Sequence, residues 1–202
     1  EIAAAYDQLR QRFPQLTVRR LGGLKAASDK EKTLALAAAD VFCSPADNLQ
    51  ETFGLSVLEA MASSLPVVAS DWNGYKDLVL HGNTGYLVPC RDLMQSQHEP
   101  DVLDRRFGLG LQDYDSTVGL RSLGVVLDHA ALEKALRDLV AVPERCAAMG
   151  EAGRRRVESV FAWRVVTEQY RELWSELSER RASAHRKGGD EPWPIAHASR
   201  LF

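Results

Sequence analysis

Disulfides, metal ions and membrane spans find little to work with in this sequence. Its three cysteines, Cys43, Cys90 and Cys146, are odd in number and show no CxxC spacing, a pattern that fits a reducing cytosol rather than a cross-linked scaffold. Cys43 stands in an apolar run and is expected in the core. The five histidines, His81, His98, His129, His185 and His197, have no ligand spacing such as HExxH, so neither a metal nor a cofactor is expected. His81, ahead of a Gly-Asn-Thr-Gly turn, reads as a loop residue. No apolar run approaches the roughly 18 to 20 residues that a spanning helix needs, and no signal peptide is visible. The expected location is cytoplasmic.

Strong charge of one sign is missing too. Lys and Arg number 25 against 28 Asp and Glu, a net charge of -3, and no stretch interleaves basic with aromatic residues, which argues against a nucleic-acid surface. The densest basic run, Arg154 to Arg156, is expected at the start of a helix, as a solvated face. Peripheral contact with the inner face of a membrane is the alternative for it.

What is present is enough apolar material for one core. At 202 residues, 45% hydrophobic and 26% charged, the chain suits a single α/β domain with extra helices, and a second full domain would not fit. Ile2 to Arg12 reads as a helix and Leu16 to Arg20 as a strand. Ser28-Asp29-Lys30-Glu31 is a Ser-x-x-Glu capping box that opens an apolar helix through Ala38. Val41 to Ser44, Pro66 to Ala69 and Tyr86 to Val88 read as further strands, the second buried and parallel. Strands separated by helices predict right-handed parallel crossovers, with ligands beyond the carboxyl ends of the strands.

One segment carries chemistry. Glu51-Thr-Phe-Gly-Leu-Ser-Val-Leu-Glu59 sets two carboxylates around a glycine that opens a helix over residues 54 to 63. Leu55, Leu58 and Ala62, with Val57 and Met61, recur at helical spacing and by themselves argue only for core. Glu51 falls before the helix, in a loop after a strand. Glu59 lies five residues past Gly54, about 7.5 Å along the axis at 1.5 Å per residue. Helix N-termini offer unpaired N–H groups to anions, and carboxylates accept hydroxyl hydrogen bonds. A diphosphate with a hydroxyl-bearing ring at each end suits that arrangement.

The run from Ala39 to Pro89, with Ala-Asp-Val-Phe-Cys-Ser-Pro, Glu-Thr-Phe-Gly-Leu-Ser-Val-Leu-Glu-Ala-Met-Ala, Leu-Pro-Val-Val-Ala-Ser-Asp and His-Gly-Asn-Thr-Gly-Tyr-Leu-Val-Pro, resembles the donor domain of group 1 glycosyltransferases. These are also called family 4, retaining enzymes of the GT-B fold, in which two Rossmann-like domains face across a cleft. A looser likeness continues from Asp128 to Leu177, where Phe161-Ala162-Trp163 is similar to a Phe-Ser-Trp before a closing helix; residues 93 to 125 and the last twenty or so are not covered.

The resemblance implies that Glu51 is the catalytic candidate and contacts donor-sugar hydroxyls, and that Glu59 accepts from the ribose. It implies that Phe53, Gly54 and Leu55 bring backbone N–H groups to the sugar and distal phosphate. Ser56 either adds a hydroxyl to the phosphates or caps the helix locally. Gly22, Gly23 and Leu24 correspond to a loop near the nucleotide base, although Gly-Gly is also an ordinary turn. Where many relatives carry Gly-x-x-Glu, this chain has Gly74-Tyr75-Lys76-Asp77, and Asp77 either touches ligand or caps a helix.

The chain begins on a helix, with no Met and no strand ahead of it, so it is expected to be a piece of a longer protein. The resemblance implies that the N-terminal acceptor domain and the opening strands of the donor domain lie outside it. Residues 1 to 180 are read as an N-terminally truncated donor domain with a turn-rich insertion near 93 to 125, and 181 to 202 as tail or linker. From Trp163 the residues Val166, Tyr170, Leu173, Trp174 and Leu177 predict a helix with a broad buried stripe; the resemblance implies that such a helix returns toward the other domain, which leaves apolar surface exposed here. The expected function is the donor-binding domain of a retaining enzyme that transfers a hexose from a nucleoside diphosphate sugar to an acceptor hydroxyl. Three rivals stand beside it: a glycoside hydrolase, a sugar-nucleotide epimerase of the same architecture, and a non-catalytic nucleotide-binding or scaffold module.

Overall fold

The computed structural model describes residues 2–22, 25–48, 51–93 and 102–185. Among them, α1 (Ile2–Arg12) and α2 (Asp29–Ala38) precede β1 (Phe42–Ser44), followed by α3 (Leu55–Ala62), β2 (Val67–Ser70), α4 (Tyr75–Leu78) and β3 (Gly85–Val88). Then come β4 (Cys90–Asp92), α5 (Val102–Gly108), α6 (Tyr114–Ser122), β5 (Val125–Leu127), α7 (His129–Ala141) and α8 (Pro143–Arg156). A π-helical turn, Val157–Phe161, leads into α9 (Trp163–His185).

Strands β1, β2 and β3 form a parallel sheet in that order, with Phe42 beside Val67 and Val67 beside Gly85. Every residue of β2 is buried, as a central parallel strand requires. Because side chains alternate across a strand, Val68 joins Val88, Ala135, Leu139 and Met149 in the core on the side of α7 and α8. Val67 and Ala69 face the other way, where α3 packs on the sheet with Val57, Ala60 and Met61 fully buried. This is the α/β, Rossmann-like parallel sheet with flanking helices expected from the sequence.

Side-chain caps fix the starts of α2 and α7, the first of them as the Ser-x-x-Glu signal predicts. Ser28 caps α2, its Oγ accepting from the Glu31 N–H at 3.3 Å while Glu31 accepts from the Ser28 N–H at 2.8 Å. Asp128 caps α7 by accepting from the Ala131 N–H at 3.0 Å.

Other expectations are corrected. Leu16 to Arg20 is not a strand: no ladder partner lies beside it among the described residues, and Arg10 instead donates to the Val18 carbonyl at 2.9 Å. Cys43 is exposed on an edge strand rather than in the core. The segment read as a turn-rich insertion contains α5 and α6, and residues 94–101 within it lie outside the described set. Arg121 holds those helices together, pairing with Asp104 at 2.8 Å and with Asp92 of β4 at 3.9 Å. Strand β4 then pairs antiparallel with β5, a ladder the sequence did not announce. Arg154 to Arg156 ends α8 instead of starting a helix.

The chain divides into two compact units at Arg155/Arg156. In the second, Arg156 lies over the Phe161 ring at 5.4 Å, and α9 continues to His185, so Ala182 to His185 are helical where a tail was expected. The apolar stripe of α9 carries exposed residues, as the resemblance implied, with Trp163 83% and Trp174 62% accessible, while Val166 is half-buried.

Candidate functional site

The loops that follow β1 and β2 meet at the carboxyl end of the sheet. They are tied together through backbone carbonyls. Asn48 O accepts from Glu51 N–H at 3.1 Å, from Trp72 Nε1 at 3.1 Å and from Asn73 Nδ2 at 3.5 Å, while Ser70 Oγ donates to Ala46 O. Two glycines permit the closest approaches. A β-carbon on Gly74 would fall 2.2 Å from the Thr52 carbonyl oxygen, and one on Gly54 would fall 2.5 Å from Cε1 of Tyr75. Gly54 also has φ of 89°, in the left-handed region that side-chain-bearing residues avoid.

Gly54 is the N-cap of α3. Its carbonyl accepts the first helical bonds, from Val57 N–H at 3.0 Å and Leu58 N–H at 3.2 Å. The N–H groups of Leu55 and Ser56 therefore stand ahead of the intrahelical ladder, with no acceptor among the described residues. Both residues are exposed, Leu55 at 68%, and Phe53 beside them is 46% accessible. The helix tip is open in front and backed by the Tyr75 ring. Such a tip attracts anions through its N–H groups and the helix dipole.

Glu51 and Glu59, upstream and downstream of that tip, are both half-buried, and each has a partner. Tyr75, 1% exposed, places its hydroxyl 2.9 Å from Ser44 Oγ and donates to Glu51 Oε2 at 3.2 Å. Burial, above all, pushes the Tyr75 phenol above its ordinary range, so it keeps its proton. On α3, Glu59 Oε1 accepts from Lys32 Nζ of α2 at 2.8 Å. That bond raises the lysine's pKa and keeps it charged.

Glu51, Phe53, Gly54, Leu55, Ser56 and Glu59 are thus gathered at one place. Gly22 adopts a left-handed conformation against Lys25 to Ala27, and Gly23 and Leu24 lie outside the described residues. Asp77 lies inside α4, whose N-cap is Gly74 without a side-chain cap, so it does not cap that helix. Sequence reasoning missed Lys32 and Tyr75. Lys32 had no local signal, whereas Tyr75 stood next to the Gly74 and Asp77 that drew attention.

A cavity of about 450 Å³ opens elsewhere, at the amino end of β3, lined by Gly82, Asn83, Tyr86, Arg145, Met149 and Arg155 among others. No cluster of three or more His, Cys, Asp or Glu side chains is placed to hold a metal ion among the described residues. None of the described helices is long and apolar enough to cross a membrane.

Comparison with known proteins points to one family. The family model for glycosyl transferases group 1 matches residues 3–98. The phosphatidyl-myo-inositol mannosyltransferase of Mycobacterium leprae is 39% identical over 87 residues, covering 43% of this chain and 22% of that protein. The alpha-maltose-1-phosphate synthase of Mycolicibacterium smegmatis is 32% identical over 143 residues, covering 71% of this chain and 29% of its own length. The chain therefore spans less than a third of the length of either relative. Among solved structures, a sucrose-phosphate synthase from Thermosynechococcus elongatus superposes with a TM-score of 0.54 at 24% identity, over 87% of this chain and 34% of that one. Anabaena HepE in complex with UDP and glucose gives 0.51 at 20% identity, over 85% and 36%. These two likenesses speak to the fold, which is of the GT-B kind. Over residues 3–98, this chain is similar to the group 1 glycosyltransferases.

Proposed function

We propose that this chain is the donor-binding part of a retaining glycosyltransferase that moves a hexose from a nucleoside diphosphate sugar to an acceptor hydroxyl. The observation that supports it is the open front of α3, where the Leu55 and Ser56 N–H groups have no acceptor among the described residues and carboxylates stand on either side. In this reading the diphosphate meets those amides, Glu51 accepts from sugar hydroxyls and Glu59 from the ribose. Catalysis is the holding of a leaving diphosphate in a preorganised field while the acceptor attacks from the same face. The leaving phosphate takes the acceptor's proton, and the acceptor site belongs to another domain. HepE, solved with UDP and glucose, has the same fold and binds ligands of this chemical class.

Calorimetry of this chain with UDP-glucose, GDP-mannose and ADP-glucose, and with the matching diphosphates, tests the reading. One pair is expected to bind. Glu59→Ala weakens both members of that pair, while Glu51→Ala weakens the sugar-bearing one selectively. Absence of binding to all six ligands favours the scaffold reading, and conversion of the donor without any acceptor favours an epimerase.

A further inference from the structure

Among the described residues, Tyr75 is the one fully buried side chain that reaches a site carboxylate, and its geometry has a direction. A phenol has one proton to give, and a carboxylate can only accept. With Glu51 Oε2 at 3.2 Å taking that proton, the Ser44 hydroxyl at 2.9 Å becomes the donor to the phenol oxygen. A chain of two hydrogen bonds thus runs from the end of β1, through a residue at the start of α4, to the loop before α3. The ring is locked by its surroundings: it is 1% exposed and fills the space that a side chain on Gly54 would need. Next to it, Gly74 seats the Thr52 carbonyl, so the backbone on which Glu51 rides is fixed by the same turn.

We propose that Tyr75 is a positioning residue that sets the orientation of the Glu51 carboxylate toward the donor sugar, acting through its hydroxyl rather than through its ring. This rests on the donor-binding reading given above. A half-buried glutamate on a loop has several rotamers, and only some of them present a lone pair to a sugar beyond the helix tip. Fixing one oxygen against a rigid, buried phenol leaves the other free for the ligand, which is preorganisation of the binding group. Among the described residues Glu59 has no such buried anchor, since the Lys32 and Glu59 side chains are 47% and 41% accessible. The effect is therefore expected at the sugar and not at the nucleotide.

The test uses whichever pair of nucleoside diphosphate sugar and nucleoside diphosphate this chain binds among UDP-glucose/UDP, GDP-mannose/GDP and ADP-glucose/ADP. In Tyr75→Phe the ring stays and the hydroxyl goes. Affinity for the sugar-bearing ligand is expected to fall about ten-fold, the size of one hydrogen bond to a charged group, while affinity for the diphosphate stays within two-fold. Glu51→Ala should give the same selective loss, and the double variant should be no worse than Glu51→Ala alone. Ser44→Ala removes the hydrogen bond that Ser44 gives the same phenol, to which Ser56 is a further partner, and should keep the sugar preference, so that any common loss of melting temperature is separated from the effect on Glu51.

Equal losses for both ligands in Tyr75→Phe, additivity with Glu51→Ala, or an unchanged sugar preference each overturns the proposal. Should Tyr75→Phe melt without cooperativity, 3-fluorotyrosine at position 75 gives a second readout. Its 19F resonance should move more with the sugar-bearing ligand than with the diphosphate, and that difference should vanish in Glu51→Ala. An identical response to both ligands would sink the idea. If the unmodified chain binds none of the six, the donor-binding reading itself fails and the proposal falls with it.

Discussion

Lys32 Nζ lies 2.8 Å from Oε1 of Glu59, joining the first turn of α2 to the middle of α3 across 27 residues of sequence. The bond occupies one carboxylate oxygen and, in the proposed donor-binding reading, leaves Oε2 for the ribose. Lys32→Met releases Glu59, and a few-fold loss of nucleotide affinity is expected, equal for diphosphate and diphosphate sugar. Lys32→Arg should restore most of it.

The same pair gives a pH prediction. The Glu59 bond raises the Lys32 pKa above its ordinary 10.5. Its contribution to stability is therefore fully present below 10.5 and is lost as pH rises through the higher folded value. Melting temperatures of wild type and Lys32→Met should differ by a constant amount through neutral pH and converge only above that range.

Ser28→Ala tests the opposite sign. The Ser28 hydroxyl, first, and its N–H hold the Glu31 carboxyl below its ordinary 4.5. That stabilisation exists above 4.5 and is lost as pH falls through the lower folded value. The gap in melting temperature between wild type and Ser28→Ala should thus narrow in strongly acidic buffer, measured by circular dichroism at 222 nm, the ordinary helix band.

Gly54→Ala meets two obstacles, a φ of 89° and the Tyr75 ring 2.5 Å from the new β-carbon. A destabilisation of about 1–3 kcal/mol is expected in urea unfolding. Nucleotide binding should be lost at temperatures where the variant is still folded, because the ring that is displaced also backs the helix tip.

Leu139→Ala separates stability from binding. Leu139 is fully buried between α7 and the sheet, on the face away from α3. Its truncation should cost about 2–5 kcal/mol. Nucleotide affinity, measured well below the melting temperature, should be unchanged.

Much of the site was legible because its signals are local. The glycine that opens α3, the carboxylates around it and the apolar face behind it fall within nine consecutive residues, Glu51 to Glu59. The capping box of α2 and the β-branched run of β2 are likewise short-range. Leu16 to Arg20 misled for the complementary reason: strand propensity describes how a segment fits a sheet, and a segment with no neighbouring strand among the described residues realises none of it. In α9, Trp163 and Trp174 sit at helical spacing, and periodicity states only that they share a face, not what covers it.

By itself the sequence determined the α/β alternation, the starts of α2 and α3 and the family resemblance, since each depends on residues within a few positions of one another. Only the tertiary structure decided that Glu51 answers to Tyr75, 24 residues away, and Glu59 to Lys32, 27 residues away. Those pairings are set by the order of strands in the sheet and the helices that cross over it, which bring the ends of distant segments to one edge. Side-chain chemistry at each position was readable in advance; which two chemistries would touch was a matter of packing.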